Sequence, residues 1–159
     1  ANIGVECCEL LMAVSHNRTY VPVNRGTLMS RILIPSTSPF APIMGFSRVV
    51  RVGNHISVGG TAPIDKDGNT VGVGDPAAQA RQCFETIESC LAKAGASMKD
   101  VVRTRMLLTR ISDWEQIAKV RGRYFKDILP VDTVMEVSSF INPDWVVEVE
   151  VDAVVDHDE

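Results

Sequence analysis

Val147-Glu148-Val149-Glu150-Val151-Asp152-Ala153 alternates an apolar residue with an acid, then closes on alanine. Side chains of an extended strand point alternately to opposite faces, so this period of two predicts a strand with a buried valine face and an acidic face turned away from the core. A strand of that kind needs a sheet covered on one side. The covering is legible at 75–95. Asp75 is a good N-cap and Pro76 suits the first helical position. Apolar residues then recur at Ala80, Phe84, Ile87, Leu91 and Ala94, the spacing of one buried helix face, and Gly95 ends the run.

The remaining elements are read outward from these two. Ser47–Val52 and His55–Val58 read as strands joined at Gly53-Asn54, a favourable two-residue hairpin turn. Val101–Thr109 reads as a strand. Asp113 is the expected cap of a second helix, with Trp114, Ile117, Val120, Tyr124 and Phe125 as its apolar set and Pro130 after its end. Thr133–Val137 and Val146–Val155 are the last strands. The order β-β-α-β-α-β-β predicts an α+β fold, with two helices on one face of a mixed sheet. Pro35, Pro39 and Pro42 make 34–43 an extended, irregular arm. Residues 1–28 read as an N-terminal extension, with a short amphipathic helix at Val5–Val14 and an extended piece at Thr19–Val23, ahead of a domain at 29–159.

The acids Glu148, Glu150 and Asp152 need partners on their own face. Arg103 and Arg105, two apart on another strand, are the natural ones, and an acidic face matched to an arginine pair suggests a contact between subunits.

Composition narrows the function. The chain has 159 residues, enough for one domain with a sizeable core, and 45% of them are apolar. A net charge of −4 and a pI of about 5.4 argue against a broadly basic surface for nucleic acid. No run reaches the ~18 apolar residues of a membrane span, and the first residues lack the pattern of a signal peptide. Cys7-Cys8 is a poor zinc spacing. Cys83 and Cys90, seven apart on one helix, lie about 10 Å apart, too far for a disulfide. These thiols predict a reducing, cytoplasmic setting. Asp65–Gly74 is rich in turn formers, and Asp67-Gly68 marks a turn in it, but the acid spacing of a calcium loop is missing.

The order of several short segments resembles the Rid family (reactive intermediate deaminase, or YjgF, also known as endoribonuclease L-PSP). These segments are Arg51-Val52-Gly53-Asn54, Gly60-Thr61-Ala62-Pro63, Gly74-Asp75, Gln79-Ala80-Arg81, the run from Ala94 to Thr104, Asp113-Trp114, Tyr124-Phe125 and Val147–Ala153. The resemblance covers roughly 110 positions, none specific alone. It implies a chorismate-mutase-like fold, a barrel-like homotrimer, small-molecule clefts between subunits, and neither metal nor cofactor. In deaminating members an arginine grips the substrate carboxylate and a glutamate positions the water that hydrolyses an enamine or imine. The resemblance places that glutamate at Glu148 and the pocket glycine at Gly60, beside Thr61. It places pocket backbone at Thr133 and Val134, and an aromatic hydroxyl of the family around Phe46 and Ser47, matched loosely by a residue.

The arginine position holds Asp132. At 4 Å and an effective dielectric near 20 a charge pair is worth about 4 kcal/mol, and reversing one charge turns that attraction into repulsion. Three readings follow. Asp132 faces a pocket for a neutral or cationic imine, in which Asp132 and Glu148 form a carboxylate pair. Alternatively, Arg48, Arg51, Arg105 or Arg121 takes over the arginine's role. In the third, the scaffold is a non-catalytic ligand-binding or assembly module. Ala118 and Gly59-Gly60-Thr61 also depart from the family pattern. Ribonuclease chemistry has little support, because His16, His55 and His157 are scattered.

Overall fold

A computed structural model of the chain describes residues 31–156. The extension at 1–28, its boundary, Cys7, Cys8, His16 and His157 lie outside the described residues. The elements are β1 (Arg31–Pro35), α1 (Ala41–Met44), β2 (Ser47–Val52), β3 (His55–Thr61), α2 (Pro76–Lys93), β4 (Val101–Leu108), α3 (Trp114–Phe125), β5 (Val131–Glu136) and β6 (Val147–Val154). The six strands form one sheet in the order β1-β2-β3-β6-β4-β5. β4 and β5 run parallel and every other neighbouring pair is antiparallel, so the sheet is mixed.

β1 and α1 take up the two ends of the irregular arm expected from the prolines, and 36–40 stay irregular between them. β1 is an edge strand, and its Pro35 sits beyond a bulge after Ile34, where a missing N–H does little harm. α1 is a single turn ended by Gly45 at φ +71°. The β2–β3 hairpin closes at Val52–His55 around Gly53-Asn54. Only Gly53 of the two has a positive φ, the pattern of a II′ turn.

α2 begins as the sequence predicts, with the Asp75 carboxylate accepting a hydrogen bond from the Ala78 N–H at 2.9 Å. Its face of Ala80, Cys83, Phe84, Ile87 and Leu91 is fully buried against β6 and its neighbours. Gln79, also fully buried, fastens the start of β6. Its amide donates to the Asp144 carbonyl at 2.7 Å and accepts from the Val146 N–H at 2.8 Å. α3 buries Ile117, Val120 and Phe125, but Trp114 is half exposed rather than core. Asp113 makes no capping bond. Its carboxylate pairs with Arg110 at 2.9 Å, which holds it away from the helix N–H groups.

The valine face of β6 packs under α2, with Val147, Val149, Val151 and Ala153 at zero exposure. The other sheet face is open. On it Glu150 lies opposite Arg105, and Asp152 lies between Arg103 and Ser57 on the two flanking strands. Arg105 reaches Glu150 at 3.4 Å and Asp152 at 3.2 Å, and Arg103 reaches Asp152 at 3.8 Å. The charge matching that suggested a subunit contact is therefore satisfied inside one sheet, and no second copy is needed to explain it. No helix among the described residues is long and apolar enough to cross a membrane.

Candidate functional site

The site begins with a break in strand pairing. Val58 pairs with Val151 and Thr61 with Val149, so β3 spends one residue more than β6 over this stretch and bulges at Gly59-Gly60. The bulge brings the Gly60 backbone against the Glu148 side chain. A Cβ on Gly60 would lie 2.7 Å from Glu148 Oε2 and 4.0 Å from Glu150 Oε1. Space rather than backbone conformation favours glycine here: Gly60 does not lie in the left-handed region, and any Cβ would push the Glu148 carboxylate aside.

Arg48 Nη1 donates to the Gly60 carbonyl at 2.6 Å. Burial pushes the Glu148 carboxyl above the ordinary carboxylate range; Arg48 opposes the rise and Glu150 adds to it. Glu150 is already committed to Arg105. Glu148 has no ion-pair partner among the described residues. The site therefore holds one partly buried carboxyl with a raised proton affinity, next to exposed backbone and a single guanidinium.

Ser47 adjoins the Gly59-Gly60 bulge, and Phe46 precedes it in the chain. The Ser47 carbonyl is 4.0 Å from where a Gly59 Cβ would stand, and Phe46 is part-exposed just before β2. Thr61 is buried and its hydroxyl donates to the Gly59 carbonyl at 2.9 Å, which fixes the bulge and leaves no free hydroxyl for a ligand.

Asp132, Thr133 and Val134 form a second group on β5, at the far edge of the sheet. Asp132 pairs in register with Thr104, and Thr133 with Arg105. Thr104 is buried on the helix-covered face, so Asp132 is on that face and Thr133 is on the open one. The Asp132 carboxylate accepts from the Thr104 hydroxyl and pairs with Arg121 Nε at 3.4 Å. Asp132 and Glu148 are thus on opposite faces of the sheet with β4 between their strands. They make no carboxylate pair within one chain.

The four arginines considered as replacements are all engaged. Arg51 donates to the Ala94 carbonyl at 2.6 Å and to Gly53 at 2.8 Å, which closes the C-terminal end of α2. Arg105 holds the open-face acids, Arg121 holds Asp132, and Arg48 alone stands beside Glu148. The position of Arg48 at the Gly60 carbonyl was hidden in the sequence, because it depends on the β2–β3 register and on the bulge. No cluster of three or more His, Cys, Asp or Glu suited to a metal occurs among the described residues.

Comparison with known proteins covers both groups. Residues 36–155 match the family model of endoribonuclease L-PSP. The chain is 32% identical over 118 residues to the 3-aminoacrylate deaminase RutC of Acinetobacter baylyi, covering 74% of this chain and 92% of that protein. A solved Mycobacterium tuberculosis member of the YjgF family is 40% identical with a TM-score of 0.71, covering 79% of this chain and all of the other. A Rid-family protein of unknown function from Yersinia pestis is 27% identical with a TM-score of 0.70, again over 79% and 100%.

Proposed function

This chain belongs to the endoribonuclease L-PSP family, the YjgF or Rid proteins, and from that premise we propose that it hydrolyses the C=N bond of a small imine, taken directly or formed by tautomerisation of an enamine, at a cleft between copies of itself. The observation that carries the reading is Glu148. Its carboxyl is raised by burial, free of an ion-pair partner among the described residues, and pressed against the Gly60 backbone. A carboxyl tuned toward neutrality suits a group that both takes and gives a proton.

Water adds to the imine carbon as Glu148 accepts its proton. The C–O bond forms and the nitrogen gains a proton, giving a carbinolamine; its hydroxyl proton then passes by way of Glu148 to the nitrogen, the C–N bond breaks, and a carbonyl compound and ammonia leave. The β5 edge of a neighbouring copy supplies the opposite wall. Its outer backbone groups have no strand partner among the described residues, and Thr133 and Val134 can present them to a ligand. The closed assembly is a homotrimer, as the family resemblance implies. The deaminase activity of the RutC relative supports the reaction class.

Ammonia release from imines generated in situ by an amino-acid-oxidising enzyme tests the reading. Glu148→Ala should lower kcat/KM by roughly 10²- to 10⁴-fold. A wild-type rate no higher than background over a broad imine panel would sink it and leave the non-catalytic ligand-binding or assembly module. The self-neutralised Asp132–Arg121 pair favours that second reading over any carboxylate-anchored substrate.

A further inference from the structure

We propose that Arg121 and Thr104 form a prebuilt carboxylate-binding site that Asp132 keeps filled, so that the chain excludes carboxylate-bearing ligands from the β5 edge. The guanidinium is fixed by contacts that do not involve Asp132. Its Nε donates to Thr104 Oγ1 at 3.1 Å, its Nη2 donates to the Pro130 carbonyl at 3.3 Å, and its carbon lies 5.2 Å from the centre of the buried Phe125 ring. Arg121 is only 17% exposed and Thr104 is fully buried, so neither has room to turn away.

The hydrogen bonds run in one direction. Arg121 donates to the Thr104 hydroxyl, and that hydroxyl donates to Asp132. Removing the Asp132 carboxylate would leave a buried O–H donor and a largely buried cation facing one vacated place. Both favour an anion, and a carboxylate satisfies both at once. The Asp132 side chain is 30% exposed, so the place is open to solvent and a small carboxylate can reach it. Asp132 acts as an internal carboxylate that no external one displaces, being held at far higher effective concentration.

The consequence for substrate class rests on the proposed hydrolysis: the imine taken is uncharged or cationic and lacks a carboxylate. The masked site itself does not rest on it. The test is chemical rescue of folding stability, read by thermal or urea unfolding in sodium acetate against sodium chloride at equal ionic strength. Wild type, Asp132→Ala and the double variant Arg121→Gln/Asp132→Ala are compared. For a Kd of ~10 mM, about 0.1 M acetate raises the folding equilibrium constant of Asp132→Ala roughly tenfold beyond chloride. Wild type and the double variant should show no such gain.

If Asp132→Ala does not fold in chloride, recovery of its circular dichroism spectrum with acetate is the same positive result. An acetate response in Asp132→Ala no larger than in wild type overturns the proposal. So does an equal response in the double variant, or an Arg121-dependent response in wild type. No turnover is measured, so failure here is separate from failure of the hydrolase reading.

Discussion

Replacing Gly60 by alanine separates the chemistry of Glu148 from the stability of the fold. The added Cβ would stand 2.7 Å from Glu148 Oε2, whereas ordinary contact begins at 3.4 Å, so the carboxylate must retreat by about 0.7 Å. Backbone strain does not enter, because Gly60 is outside the left-handed region. The obstacle is the tip of a flexible side chain. Moving it off its rotamer costs about 0.5–1.5 kcal/mol, and alanine returns about 0.4–1 kcal/mol by restricting the unfolded chain. The net change in stability should stay within about 1 kcal/mol. Catalysis is less tolerant: a displacement near 1 Å can cost ~10²-fold, so kcat/KM for ammonia release should fall roughly 10- to 100-fold. Gly59→Ala is the control, since its Cβ meets nothing closer than the Arg48 carbonyl at 3.9 Å. Urea unfolding and the imine assay are run on both. A Gly60→Ala enzyme with wild-type kcat/KM, and with Glu148 shown displaced by crystallography, would refute a catalytic role for the Glu148 position.

Glu148→Gln reports on the pH dependence of folding. Burial raises the Glu148 carboxyl in the folded chain above its ordinary 4.5, with Arg48 opposing and Glu150 adding. The favourable contribution of the protonated form is complete below about pH 4.5 and fades as pH rises through the folded value. Glutamine cannot ionise, so the stability of the variant relative to wild type should grow as pH climbs from 4.5 toward neutrality; a flat difference across pH-resolved urea titrations counts against it. Leu129 sits at φ +57° and is 79% exposed. Glycine there should relieve about 1–2 kcal/mol of backbone strain, less ~0.5–1 kcal/mol of chain entropy, for a gain of up to about 1.5 kcal/mol in stability, read by urea unfolding. A loss would mean that the Leu129 side chain anchors a contact. Arg105→Glu breaks the pairs with Glu150 and Asp152 and sets a third acid between them. It should cost about 1 kcal/mol, the scale of pairs this exposed; an unchanged urea midpoint would contradict this pairing.

The layers were legible because periodicity reports burial. Alternation at 147–153 and the 3.6-residue repeat from Ala80 to Ala94 each name a covered face, and those faces meet in the structure. β1 was not legible, since three prolines from Pro35 to Pro42 mask a strand that ends at Pro35, where edge pairing tolerates the missing N–H. Trp114 fitted the apolar repeat of α3 yet faces outward, because the repeat fixes a stripe but not its width. At the candidate site the residue types were visible and their partners were not. Glu148 and Gly60 could be named from the resemblance. The bulge that joins them arises from a register shift between β3 and β6, which no local pattern encodes. Arg121 and Asp132 are eleven residues apart and meet only because α3 crosses back over the β4–β5 edge.

That crossing decides what the reversed charge at 132 means. On an open sheet face an aspartate there would stand free and set the charge of the pocket around it. The register with Thr104 turns it to the helix-covered face, where Arg121 is already held by Pro130 and Phe125. The reversal is therefore neutralised within the chain, and it withdraws a guanidinium from ligands instead of adding an acid for them. Glu148 lies on the other face with its proton affinity raised by burial, so the two acids sit in separate environments: under the proposed hydrolysis Glu148 would transfer the proton, and under the proposed masking Asp132 would set which charges the edge strand receives. A ligand that touches Glu148 and the β5 backbone together must then lie between the open face of one copy and the β5 edge of another, because in a single chain the intervening strand β4 keeps them apart.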